Sequence, residues 1–379
     1  MDFALNSDQT MIRDTAAAFL ADASSSAAVR AAMAGASGFD AKVWQTLAQE
    51  LAWCATAIPE EYEGLGLACF ETVLLAEQCG RFLLCAPYFA TACLSVPVLL
   101  ETGNAAACGR YLPQIAGGTL TATTALSATG LDWQPGKVAA AAIRQDDHYL
   151  LSGAYRQVID AATAGLLLLP ARLPGGETAL FAVSATAAGL SATTHDTFDR
   201  TRRTGAVKLD QVRVDAGDML ACGEALDKSM QRACAGAAIA LAAEQVGGAQ
   251  ACLDMTLAYI AERKQFGRSI ASFQAIKHRC AEMMVRIEAA RSAVHGAARQ
   301  AATRPGDADL TLEAACAKAL ASDAYFYCAQ ESIQLHGGVG FTWEYDPHLH
   351  FKRAQAGGHW LGSSDELRER VAANLLGAL

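Results

Sequence analysis

Charge is scarce in this chain: Asp, Glu, Lys and Arg make up 18% of it, against about a quarter of an average soluble domain. Much of the apolar share is alanine, whose helices pack closely, and the low charge density leaves room for large subunit interfaces. Basic residues are the scarcer kind, 30 Lys and Arg against 39 Asp and Glu, for a formal net charge of −9. A chain without a basic excess lacks the face that meets phosphate backbones, which argues against a nucleic-acid partner. No C-x-x-C occurs among the twelve cysteines, and no pair has zinc-ligand spacing. They read as reduced, mostly buried, small apolar residues, and no metal site is expected. The N-terminal stretch MDFALNSDQTMIRD carries acids early and has no apolar core of the signal-peptide kind, so the expected location is cytoplasmic. One run, FLLCAPYFATACLSVPVLL (82–100), lacks charge altogether. Pro87 and Pro97 would break a membrane span there, and Arg81 is a thin basic flank, so buried helix pieces are expected and no membrane span.

The length of 379 residues suggests two or three domains. Residues 1–118 read as an N-terminal helical domain. Asn6-Ser7-Asp8 offers a cap before QTMIRDTAAAFLAD, where Met11, Ile12, Ala16, Phe19 and Leu20 fall near helical spacing. IPEEYEGLGL (58–67) reads as a loop between helices. Over 119–222 the texture becomes short apolar runs punctuated by Gly, Pro and Asp (KVAAAAI, HYLLSG, GLLLLPARL, TALFAVS, GAVKLDQVRV), which predicts a middle β domain. From 223 to 379 helical texture returns. MQRACAGAAIALAAEQVGGAQACLDMTLAYIAERKQFG has no proline and can form one long helix. FQAIKHRCAEMMVRIEAARSAVHGAARQAA follows, and then DLTLEAACAKALASDAYFYCAQESIQLHGG after a turn at Arg304-Pro305-Gly306. Three long helices and a tail predict a C-terminal bundle. The fold class is α+β, in the order α, β, α.

Two stretches of the bundle can carry chemistry. In ERKQFGRSIASFQAIKH (262–278) a helix is expected to stop at Phe266-Gly267 and resume by Phe273-Gln274, with Arg263, Lys264 and Arg268 at the break. Arginines beside a chain break can hold a phosphate through paired donors, although on charge alone an ordinary solvated helix end is the better reading. In IQLHGGVGFTWEYDP (333–347) three glycines in four positions let a ligand approach the backbone closely. No strand precedes them, so neither a P-loop nor a dinucleotide-binding fingerprint is supported.

Taken together, the R-x-Q-F-G of Arg263–Gly267, the F-Q of Phe273-Gln274 and the Q-x-x-G-G-x-G-F beginning at Gln334 resemble the acyl-CoA dehydrogenase family. The resemblance spans the chain. IPEEYEGLGL is similar to the family's P-E-x-x-G-G-x-G loop with Glu63 in place of one glycine, and DTFDRTRRTGAVKLDQVRV (196–214) resembles the segment closing its middle β domain. The resemblance implies the α/β/α fold, FAD, an acyl-CoA substrate, α,β-desaturation with a carboxylate as base, and electron-transfer flavoprotein as acceptor. It also implies flavin sites shared between subunits. Arg263, Phe266 and Gln274 match one element that holds the nucleotide end in the neighbour, and Gln334, Gly337 and Gly338 match the other.

The remaining family positions are altered. The strand whose Trp and Thr touch the flavin ring corresponds to YLLSGAYRQVID (149–160), with Gln157 and Ile159 at those positions. Little of the preceding flavin loop survives in LSATGLDWQPG (126–136). The usual base position falls on Leu361, the alternative base position on Ala237, and neither side chain takes a proton. Glu244 lies two helical turns beyond Ala237, about 10 Å along the axis. Asp365 and Glu366 stand nearby as an acid pair, and such a pair at a helix start is usually a cap. The combination implies a homologous partner subunit in an α2β2 assembly, supplying base and ring contacts. EQVGGAQ and GRFLLCAPYFATA resemble the heterotetrameric branch that acts on steroid side chains. Two alternatives stay open: a self-sufficient flavoenzyme using Asp365 or Glu366 or different flavin chemistry, and a non-catalytic scaffold of this fold.

Overall fold

The structure is a computed structural model and describes residues 4–304 and 309–377. Pro305 and Gly306 of the expected turn lie outside the described residues. Helices α1 (Ser7–Ala23), α2 (Ser26–Ala34), α3 (Ala41–Gln45), α4 (Cys69–Arg81), α5 (Val96–Glu101) and α6 (Ala105–Ala116) come first. Strands β1 (Ala122–Thr124), β2 (Ala141–Gln145), β3 (His148–Ile159), β4 (Leu166–Arg172), β5 (Thr178–Ser184), β6 (Leu190–Thr194), β7 (Thr204–Asp215) and β8 (Met219–Cys222) follow. Then come α7 (Gly223–Glu262), a two-residue hairpin of β9 (Lys264–Gln265) and β10 (Arg268–Ser269), α8 (Gln274–Thr303), α9 (Leu310–His336), α10 (Pro347–Gly357) and α11 (Ser364–Leu376). This is the α+β fold that the sequence implies. Among the described residues no helix is long and apolar enough to cross a membrane, and no group of three or more His, Cys, Asp or Glu could hold a metal ion. The cysteines are free thiols. Over 82–100 the chain breaks into a π-helical turn (Phe89–Ser95) and α5, with Pro97 in the first turn of the latter.

The chain forms two compact units. The sheet unit contains Ala32–Thr72 and Cys85–Ala237. Its strands run in the order β6-β7-β3-β2-β4-β5-β8, with β1 pairing parallel to β4. Alternating inward residues of β3, β5 and β7 (Tyr149, Leu151, Tyr155, Phe181, Val207, Val212) build one apolar core with the nearly continuous apolar run of β4. Helical segments dock on β1 through hydroxyls: Thr91 Oγ1 accepts from the Ala122 amide at 3.1 Å, and Ser95 and Thr124 share a hydrogen bond of 3.0 Å. Within IPEEYEGLGL, Glu63 adopts φ 64°, a left-handed conformation that glycine takes without cost.

The bundle unit contains the chain up to Ala31, Val73–Leu84 and the chain from Ala238 onward. Asn6 caps α1 in a reciprocal capping box with Gln9. The glycines of EQVGG let backbones touch. A Cβ on Gly247 would sit 1.8 Å from the Glu77 carbonyl oxygen, and one on Gly80 would sit 1.8 Å from that of Glu244, so α4 and α7 cross with no side chain between them. A Cβ on Gly248 would strike the Tyr325 ring at 2.4 Å. Glu244 is 4% exposed and accepts from Arg353 at 2.8 Å; Arg353 also donates to the Leu84 carbonyl at 3.3 Å.

Candidate functional site

The first chemistry-bearing segment begins where α7 ends at Glu262. The expected break becomes a β-hairpin: Arg268 pairs with Gln265 and Ser269 with Lys264. Phe266 and Gly267 between them have φ 53° and 77°, the two positive values of a type I′ turn, a place that asparagine or aspartate usually takes before glycine. The turn displays Phe266, which is 91% exposed. Arg268 lies over the Phe273 ring at 4.1 Å, and the Phe266 and Phe273 rings meet edge to face at 6.2 Å, which ties the hairpin to the start of α8. Arg263 and Gln274 are both exposed, and the Arg263 carbonyl accepts from the Ile270 amide at 2.9 Å.

The second segment begins where α9 ends at His336. Gly337 has φ 64° and ψ −141°, a region essentially closed to residues with a Cβ. Gly337, Gly338 and Gln334 are exposed, and a Cβ added at either glycine would meet nothing within 4 Å. Gly340 is different: a Cβ there would lie 2.8 Å from the Ile333 carbonyl oxygen. The ends of α7 and α9 are held together, because Tyr259 and His336 stack with ring centroids 4.3 Å apart. Arg263, Phe266 and Gln274 thus stand on one segment, Gln334, Gly337 and Gly338 on the other, and the structure brings the segments together. This end of the bundle offers an arginine fork, an apolar ring, two amides and bare glycine backbone, a donor set suited to a phosphate-bearing ligand with a planar group.

In the sheet unit, the pairing of β3 with β7 slips between Tyr155 and Val158. This bulge leaves Gln157 exposed, while Ile159 is 3% exposed and its carbonyl accepts from Thr123 Oγ1 at 2.6 Å. The strand therefore presents an amide where the resemblance leads one to expect an aromatic ring, and an inward aliphatic group where it leads one to expect a hydroxyl. The loop at 126–136 is closed on itself, with the Ser127 hydroxyl bonded to the Gly130 amide at 3.0 Å and the Ala128 amide to the Lys137 carbonyl at 3.0 Å.

Neither of the two positions expected for the base carries a carboxylate. Leu361 is 7% exposed with φ 58°, and Ala237 is fully buried within α7. Glu244 is held by Arg353. Ser363 is the N-cap of α11, and Glu366 completes the box: its Oε2 accepts from the Ser363 amide and hydroxyl, each at 2.8 Å, and its amide donates to Ser363 Oγ at 3.4 Å. The Ser363 amide and then its hydroxyl hold the Glu366 carboxyl below the usual range, the wrong direction for a base. The Asp365 side chain is fully exposed and 3.5 Å from Arg368. Behind this loop, the ammonium of fully buried Lys318 donates to the Gly358 carbonyl at 3.4 Å. Nothing in the sequence marks that lysine except the alanines flanking it in AACAKALAS.

The family descriptions "Acyl-CoA dehydrogenase, N-terminal domain" and "Acyl-CoA dehydrogenase, C-terminal domain" match residues 6–119 and 228–376. The acyl-CoA dehydrogenase IpdE2 of Mycobacterium tuberculosis is 32% identical over 97% of both chains. Among solved structures, a variant of the Tcur3481-Tcur3483 steroid ACAD superposes with a TM-score of 0.84 at 28% identity, over 97% of this chain and 98% of that one. The butyryl-CoA dehydrogenase of Megasphaera elsdenii shares the fold, with a TM-score of 0.89 at 24% identity over 99% of this chain and all of that one. With both terminal domains matched and a relative of this identity along its whole length, the chain belongs to the acyl-CoA dehydrogenase family.

Proposed function

We propose that this chain is the base-lacking subunit of a heteromeric, FAD-dependent acyl-CoA dehydrogenase. Bound FAD would supply the hydride acceptor for α,β-desaturation of an acyl-CoA thioester. Arg263, Phe266, Gln274, Gln334, Gly337 and Gly338 hold the nucleotide end of a flavin whose ring belongs to a homologous partner, and that partner supplies the proton acceptor. The exposed hairpin and open glycine backbone fit such a ligand. Gln157 and buried Ile159 do not fit the ring. The likeness to a steroid ACAD favours a steroid side-chain thioester as substrate, and the acceptor that the family resemblance implies is an electron-transfer flavoprotein. The proposed domains are 1–118, 119–222 and 223–379.

One observation carries this reading: of the acids near position 361, Glu366 is engaged as the cap of α11 and Asp365 points fully into solvent, while Leu361 itself takes no proton. The test is co-expression with a base-bearing homologue encoded beside it. Expected are a colourless, inactive lone chain and a yellow α2β2 complex with about one flavin per two subunits, reduced by acyl-CoA under anaerobic conditions. Full flavin occupancy and turnover in the lone chain would overturn the proposal.

A further inference from the structure

Two contacts, one turn apart, join α7 to α9 just behind the ligand-facing segments. The fully buried hydroxyls of Thr256 and Ser332 are hydrogen-bonded at 3.0 Å. One turn nearer the ends, Tyr259 and His336 stack with an interplanar angle of 22°. Their placement is not arbitrary. The Tyr259 carbonyl accepts from the Arg263 amide at 2.9 Å, and Gly337 directly follows His336. The two rings therefore meet at the last regular turn of both helices, immediately before the hairpin and the glycine turn.

His336 is 4% exposed, and its Nδ1 lies 2.7 Å from the Ser332 carbonyl. A carbonyl only accepts, so Nδ1 carries the hydrogen, and burial disfavours the charged ring. Burial thus favours the neutral imidazole, and the bond to Ser332 fixes its rotation. Tyr345 closes the group edge-on, 6.1 Å from each ring. Such a rigid aromatic group has little need of its own to sit at a surface-facing helix end. It does have a use if two segments far apart in sequence must reach one ligand together, since a grip assembled in advance loses less freedom on binding.

We infer that Tyr259 and His336 are the positioning pair of the nucleotide-end site: their stack sets the spacing between the Arg263 hairpin and the Gly337 turn. The inference rests on the reading in the preceding subsection and deepens it. Neither ring needs to touch the ligand. Loss of either should loosen both segments at once, and loss of the second should add little to loss of the first.

The test measures FAD affinity of the co-expressed complex by flavin fluorescence for Tyr259→Ala, His336→Leu, the double variant, Tyr259→Phe and Arg263→Ala. In parallel, amide exchange of the full-length lone chain is followed without cofactor. Expected are a roughly tenfold loss of affinity for each single truncation, no further loss in the double variant, and retention within about twofold for Tyr259→Phe, which keeps the ring. Exchange should rise over 263–270 and 337–341 and stay unchanged in α8 and α11. Unchanged affinity in Tyr259→Ala while Arg263→Ala weakens binding would overturn the inference and leave the subunit reading standing. Unchanged affinity in Arg263→Ala would overturn both. Faster exchange throughout the bundle would make the pair a general core contact and overturn the positioning role.

Discussion

The ammonium of Lys318 donates to the hydroxyl of Ser322 at 2.7 Å, one turn along α9, with none of the lysine exposed. Ser322 in turn donates to the Gln245 side-chain oxygen at 3.1 Å, and Lys318 also reaches the Gly358 carbonyl. A carboxylate is missing from this chain of contacts. The acid that acts on it, Asp323, is paired with Arg368. Burial pulls Lys318 down from 10.5 to about 7. The unfolded chain then binds the extra proton between those values, so stability rises with pH across that window and the penalty is complete below pH 7. Lys318→Met removes the titration. Relative to that variant, the native chain should gain about 2 kcal/mol between pH 7.5 and 9.5, measured by denaturant unfolding at each pH. A difference that stays flat with pH would mean that Lys318 keeps its ordinary affinity for protons.

Glu63 and Gly64 make a second, local test. Glu63 holds a left-handed backbone with an exposed side chain, while Gly64 has no room for one: a Cβ would lie 1.9 Å from the Ile58 carbonyl oxygen. Glu63→Gly relieves about 1 kcal/mol of strain and returns part of it through the freer unfolded chain, for a net gain of about 0.5 kcal/mol. Gly64→Ala should cost more than about 2 kcal/mol, because backbone must move. Thermal melts of the two variants should shift in opposite directions.

These two sites show what could be read in the residues and what could not. Glu63 was visible as a glycine position filled by something else through the resemblance of its loop to the family's, a pattern that lies within one short stretch. The strands GLLLLPARL and TALFAVS and the proline-free run that became α7 were legible for the same reason: a period and its punctuation lie within one stretch. The hairpin at 264–269 was not. Phe-Gly carries no hairpin signal, and the basic residues around it look like a frayed helix end. The stack of Tyr259 on His336 joins residues 77 positions apart, and no periodicity reports such a meeting. Lys318 failed for a different reason. A lone lysine among alanines is normally placed on the solvated face, and only the packing of α9 among α7, α10 and α11 overrides that preference.

The double role offered by Glu366 can be separated. As a cap it accepts from the Ser363 amide, so Glu366→Ala should lower stability by about 1 kcal/mol, and Glu366→Gln, which keeps an acceptor, by less. As a base it would be indispensable, and Glu366→Gln would abolish anaerobic reduction of the flavin by acyl-CoA. The expected result in the assembled complex is a rate unchanged within about twofold, against the 10²–10⁴-fold loss that removal of a general base brings. Rapid-mixing absorbance of the reductive half-reaction reads the difference.

Leu361→Glu asks whether the base is all that this chain lacks. The position lies in a buried, left-handed stretch between Trp360 and Gly362, where a Cβ on Gly362 would press on Leu367 at 2.9 Å. A carboxylate placed there gains no arginine or lysine partner from the loop, and its burial should cost roughly 1–3 kcal/mol, lowering the melting temperature. Nothing about the substitution changes Gln157 or Ile159 in the sheet unit, where the family's ring contacts would have to be. The lone variant should therefore remain colourless and inactive, because on the proposed reading the contacts to the ring belong to the partner. Yellow flavin in the lone variant, bleached by an acyl-CoA, would show that one missing carboxylate was the whole deficit and that the chain could hold the ring by other contacts.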